Sequence, residues 1–189
     1  MGLANRVQRT TLDVRRSRRS DASPLVPGGA DRLAATILDR ASAWLADPVS
    51  ATLAVVGGEP LAFLDAARRI GWPAFAVAPD DPELLGDRCH HVVADLDDLA
   101  VAGRRPTVGL WAGGAVVPPA AVAELAGAVV AGGVVVVAAG SSSPAGGPPL
   151  TPAYVAAARA ALAGSGLCVR DEWYPPGVRR QVVFVATRP

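Results

Sequence analysis

The chain has few of the residues that carry covalent or metal chemistry. Its 189 residues include two cysteines, two histidines and one methionine, and no lysine, so every basic side chain is an arginine. Cys89 and Cys168 stand far apart, with no C-x-x-C and no companion histidine spacing. That excludes a zinc pattern and a disulfide framework, and the expectation is two buried thiols in a reducing cytosol. His90 and His91 adjoin Cys89 at the start of a strand, where successive side chains point to opposite faces. The three cannot converge on one metal ion, so a core or edge role is expected. No Ser-His-Asp order, no P-loop and no paired carboxylates in an acid/base context can be assembled. Charge of one sign is also missing. A formal net charge of +1 argues against a dedicated nucleic-acid or membrane-surface protein. Met1 to Ser20 is polar and arginine-rich where a signal peptide is apolar. Apolar runs such as Val129 to Ala139 are interrupted by Gly132 and Gly133 and are too short to cross a bilayer. A cytoplasmic protein with no membrane or nucleic-acid partner is expected. The abundance of Ala, Gly, Val, Pro and Arg reads as high-GC coding bias and carries no functional weight.

What is present is a regular alternation. Residues 1–30 read as an arginine-rich arm and linker, RVQRTTLDVRRSRRSD followed by SPLVPGG, without an apolar face and without aromatic residues that would stack on bases. From Asp31 the spacing of Leu33, Ile37, Ala41, Trp44 and Leu45 predicts an amphipathic helix that ends at Asp47-Pro48. Strands are predicted at Thr52 to Val56, Ala74 to Ala78, His91 to Ala94, Thr107 to Trp111 and Val134 to Ala138. Helices are predicted at Pro60 to Ile70, Pro82 to Leu85 and Pro119 to Val130. Continuous Val and Ala runs, rather than strict alternation, indicate strands buried on both faces, as in a parallel sheet covered by helices. After a helix over Tyr154 to Ala163 closed by Gly164, LCVRDEWYP and QVVFVATRP read as two strands. The short connection around Pro176-Gly177-Val178 cannot join parallel strands. One strand of the otherwise parallel, doubly wound α/β sheet therefore runs backwards.

With these segments in this order, residues 31–189 resemble the class I S-adenosylmethionine-dependent methyltransferases, whose Rossmann-like sheet ends in an antiparallel hairpin. TLAVVGGEPL, Thr52 to Leu61, sits where the glycine-rich cofactor motif belongs. FAVAPDDPELL, Phe75 to Leu85, sits where the ribose-contacting strand end belongs. VVADLDDL, Val92 to Leu99, is similar to the stretch where an acid approaches the adenine, and AGGVVVVA, Ala131 to Ala138, to the turn before the fifth strand. The resemblance implies S-adenosylmethionine as cofactor, with Gly57, Gly58, Glu59, Asp80 and Asp95 as cofactor-binding residues. Trp111 ends the fourth strand and either walls a substrate pocket or is ordinary packing.

The motifs are degenerate. The family's acid near the end of the first strand falls on Val55, its second and third glycines on Glu59 and Leu61, and its ribose-binding acid on Ala78. Glu59 puts a side chain where the family's backbone approaches the cofactor, and Ala78 cannot accept hydrogen bonds from a ribose. Asp80 or Asp81 reaching back to the ribose, and Glu59 facing the cofactor's ammonium group, would rescue binding. As bland alternatives, Asp80 and Asp81 cap the helix at Pro82 and Asp95 ends a strand. The loop GSSSPAGGPPLTP, Gly140 to Pro152, is either a substrate lid or a connector. Two functions remain open: a methyltransferase for a small-molecule substrate, or a non-catalytic pseudoenzyme whose partner is another protein. A nucleotide-binding Rossmann unit of a longer dehydrogenase or ATP-grasp chain is a third, which the terminal hairpin counts against. The oligomeric state, a homodimer included, is not encoded legibly.

Overall fold

The computed structural model describes residues 29–57, 60–77, 91–101, 103–113, 116–140, 150–176 and 181–189. The expectations for the arm, for Gly58, Glu59, Ala78, Asp80, Asp81, Cys89 and His90, for the Pro82 to Leu85 helix and for the body of the Gly140 to Pro152 loop fall outside these residues. Among these residues seven strands form one sheet: β1 (Leu53–Val56), β2 (Ala74–Val77), β3 (His91–Val93), β4 (Val108–Trp111), β5 (Val134–Gly140), β6 (Cys168–Trp173) and β7 (Gln181–Thr187). The described helices are α1 (Gly29–Ser42), α2 (Leu61–Arg69), α3 (Leu96–Val101), α4 (Pro119–Ala128) and α5 (Pro152–Gly164). The strand order is β3-β2-β1-β4-β5-β7-β6. Strands β1 to β5 pair in parallel, and β7 is antiparallel to both β5 and β6. The doubly wound sheet with one reversed strand is thus observed.

Successive residues of each strand feed opposite cores. Leu53 and Val55 of β1, Val134 and Val136 of β5, and Val183 and Val185 of β7 pack with Ile37 and Leu38 of α1 and Phe63 and Leu64 of α2. Ala54, Val135, Val137, Val182 and Phe184 pack on the other face with Leu96 and Leu99 of α3, Val122 and Leu125 of α4, and Val155 and Leu162 of α5. Both faces are covered, which is why the strands read as unbroken apolar runs. Arg40 fastens α1 to the outer strand: its Nη1 lies 2.6 Å from Asp171 Oδ2 and its guanidinium 4.4 Å from the Trp173 ring centroid. Arg188, past β7, donates to the Gly127 and Val129 carbonyls at the end of α4, where a cation also meets the negative end of the helix dipole.

Two sequence-based expectations are corrected, and one helix was not foreseen. Helix α1 ends at Ser42, not at Asp47: Trp44 N–H and Leu45 N–H bond three residues back, to Ala41 and Ser42, a tightened turn that swings the Trp44 ring out to 42% exposure. Cys168 is exposed rather than buried, because it opens the edge strand β6, whose first three residues face solvent. Helix α3 was not anticipated; six residues are too few for a periodic signal, and only its cap betrays it.

The Gly132-Gly133 step has two separate reasons. Gly132 turns with φ +75°, and nothing stands within 4 Å of a Cβ there. Gly133 has no special φ, but a Cβ would lie 2.5 Å from Val129 Cγ1, 2.7 Å from the Thr107 carbonyl and 2.9 Å from the Val130 carbonyl. Both carbonyls are already held, by Val134 N–H and Gly133 N–H respectively, so neither can yield cheaply. Gly133→Ala should therefore cost about 2 kcal/mol and lower Tm by roughly 5 °C. Gly132→Ala, paying only for the left-handed backbone, should cost about 1 kcal/mol. Thermal melts of the two variants check the order, and equal shifts would refute it.

Candidate functional site at the carboxyl ends of the parallel strands

Val93, Val77, Val56, Trp111, Val137 and Phe184 pair as one row across the sheet. The residues that follow this row in β1 to β5 share one rim. From β1 the chain winds outward through β2 and β3 on one side, and from β4 through β5 on the other. The β1–β4 boundary is therefore the topological switch point, where open α/β sheets take their ligands.

Gly57 leaves β1 at this point with φ +71°, a conformation that glycine adopts without strain. It follows a strand with no polar side chain and turns the chain toward α2. Asp95 stands on the same rim, past the end of β3, two strands from Gly57 and so roughly 10 Å away across the sheet. Its Oδ1 accepts from Asp98 N–H at 2.9 Å, and Asp98 Oδ2 accepts from Asp95 N–H at 3.4 Å. Asp95 is thus the N-cap of α3 in a reciprocal box. The cap and the adenine contact implied by the resemblance are compatible, since an ionised carboxylate has about four acceptor sites and the box uses one of them.

Trp111 is buried, 5% exposed, in the core on the α3, α4 and α5 face of the sheet. Its indole lies against Gly113, where a Cβ would come within 2.6 Å of Cζ2 and 2.8 Å of Cε2, and its Nε1 stands 4.0 Å from the place of a Cβ on Gly57. The same Cβ position is 3.9 Å from Gly113 Cα. The turns after β1 and β4 thus approach each other directly, with the indole beside both. Gly58, Glu59 and Asp80 lie outside the described residues. Among the described residues, no group of three His, Cys, Asp or Glu side chains converges as a metal site would.

Sequence reasoning missed two rim residues. Gly113 carries no signal of its own within WAGG; its role emerges only once the Trp111 ring is placed. Gln181 opens β7 opposite Gly140 at the end of β5. It is 5% exposed, and its Oε1 is buried without a hydrogen-bond partner. A glutamine heading a run of six apolar and small residues was the available clue. At the outer edge, Arg159 holds Glu172 through two bonds of 2.7 and 2.8 Å, and Tyr174 Oη donates to the same carboxylate. Desolvation, then that bond, pushes the Tyr174 phenol above its ordinary pKa. This cluster fastens β6 to α5 and lies four strands from β1.

No family model matches the chain, and no curated protein does. Solved structures do. DesVI of Streptomyces venezuelae is similar at a TM-score of 0.59 and 15% identity, over 85% of this chain and 92% of that one. The glycopeptide N-methyltransferase MtfA, complexed with S-adenosylmethionine, is similar at 0.57 and 15%, over 92% and 100%. Magnesium protoporphyrin IX methyltransferase of Synechocystis PCC 6803, with the same compound bound, is similar at 0.53 and 13%, over 84% and 81%. The chain has the class I methyltransferase fold. Gly57, Asp95 and Trp111 all stand at the carboxyl ends of the parallel strands of this sheet.

Gln181 yields a stability test. A buried carbonyl without a partner is costly, and an apolar side chain of similar shape is not. Gln181→Met should raise Tm by roughly 3 °C, on the scale of about 1 kcal/mol regained. A lower Tm would mean that the amide is paired.

Proposed function

We propose that this protein binds S-adenosylmethionine on the rim between Gly57 and Asp95 and is a methyltransferase for a small-molecule substrate. The observation that carries the reading is the β1–β4 switch point with a left-handed glycine at the exit of β1. The backbone at Gly57 has no side chain to hold a ligand off, and Asp95 offers acceptor capacity at the far end of the same rim. These residues fit an adenosyl group. When bound, S-adenosylmethionine supplies a methyl group activated by its sulfonium. The chain's own contribution is binding and orientation, since bringing an activated methyl against a nucleophile supplies much of the rate and requires no dedicated acid/base pair. In this reading Gly57 and Gly58 form the turn, Asp80 reaches the ribose, and Glu59 crowds the cofactor's approach to the backbone by more than its charge attracts the ammonium group. The domain begins near residue 31, and the arm is dispensable for its folding.

A second reading is a methyltransferase-fold interaction subunit, a pseudoenzyme that does not bind the cofactor. Two observations favour it: the buried Trp111 indole beside Gly57, and the absence of the family's acid at Ala78. Cytoplasmic location goes with either reading. Among the described residues, no helix is long and apolar enough to cross a membrane.

Calorimetric titration with S-adenosylmethionine and S-adenosylhomocysteine separates the two. Binding by the unmodified protein is expected to be weak but measurable, and complete absence of binding would sink the enzyme reading. Glu59→Gly with Ala78→Asp should tighten it roughly tenfold or more, the scale of one charge-assisted hydrogen bond regained. Weaker binding after Glu59→Gly alone would make Glu59 a working ligand. Asp95 needs a variant that spares its cap. Asn caps about as well as Asp, while Ala loses about 1 kcal/mol of cap. Asp95→Asn should therefore leave Tm within a degree or two and weaken cofactor binding several-fold, whereas an unchanged affinity would remove Asp95 from the site.

A further inference from the structure

We draw no further inference here: the strongest candidate, the groove between the outer faces of α4 and α5 lined by Pro119, Ala120, Ala123, Ala157, Ala160 and Gly164, is a seam of small residues, and nothing in the structure shows what covers it.

Discussion

The central strands are buried on both faces, and most of what this protein can do follows from that constraint. A strand with helices above and below meets little water along its length, so β1, β4, β5 and β7 are built mostly from Val, Leu, Ala and Phe, with Trp111, Gln181 and Thr187 at strand ends and Gly109 where α4 comes closest. Burial of this kind drives folding, but it leaves polar chemistry only at the strand ends. The carboxyl rim is therefore where Gly57, Asp95 and Gln181 are found. The reversal of winding between β1 and β4 marks the switch point on that rim, where open sheets of this kind take their ligands.

That constraint also decides what was legible in the sequence. Unbroken apolar runs mark strands covered on both faces, so the strands and the reversed final one could be read from Thr52 to Val56 or QVVFVATRP directly. Chain geometry did the rest, since the short link before Gln181 forbids a parallel crossover. What escaped was decided by neighbours distant in sequence. Cys168 looks like a core residue in LCV until β6 is found at the edge with only β7 beside it. Trp44 continues the helical spacing of α1, but the helix has already tightened into a turn. Asp95 and Asp98 form a cap with a clear D-x-x-D spacing, yet α3 is too short for periodicity to reveal what they cap.

The candidate site was legible to a lesser degree than the fold, for a physical reason. A cofactor turn is specified by the absence of side chains, and an absence in one sequence has several meanings. Gly132 is glycine because of its φ, Gly133 because carbonyls crowd it, Gly113 because an indole lies against it, and Gly57 because the chain turns left-handed as it leaves β1. The letters are identical and the causes are separate. Trp111 was ambiguous in the opposite sense: a large aromatic at a strand end serves equally as wall or as filling until its exposure is known.

Gly57 and Trp111 pull in opposite directions, and together they describe the site better than either alone. A backbone held in a left-handed turn at the exit of β1 preserves the shape that lets a ligand's polar end come close. An indole seated beside it buries apolar surface instead, a gain of about 2 kcal/mol or more for a side chain of this size. With the ring buried there, the chain's own side chain covers apolar surface at the carboxyl ends of β1 and β4. On this rim Trp111 serves the fold through its burial, while the left-handed turn at Gly57 leaves backbone free of a side chain, the feature on which the cofactor reading stands.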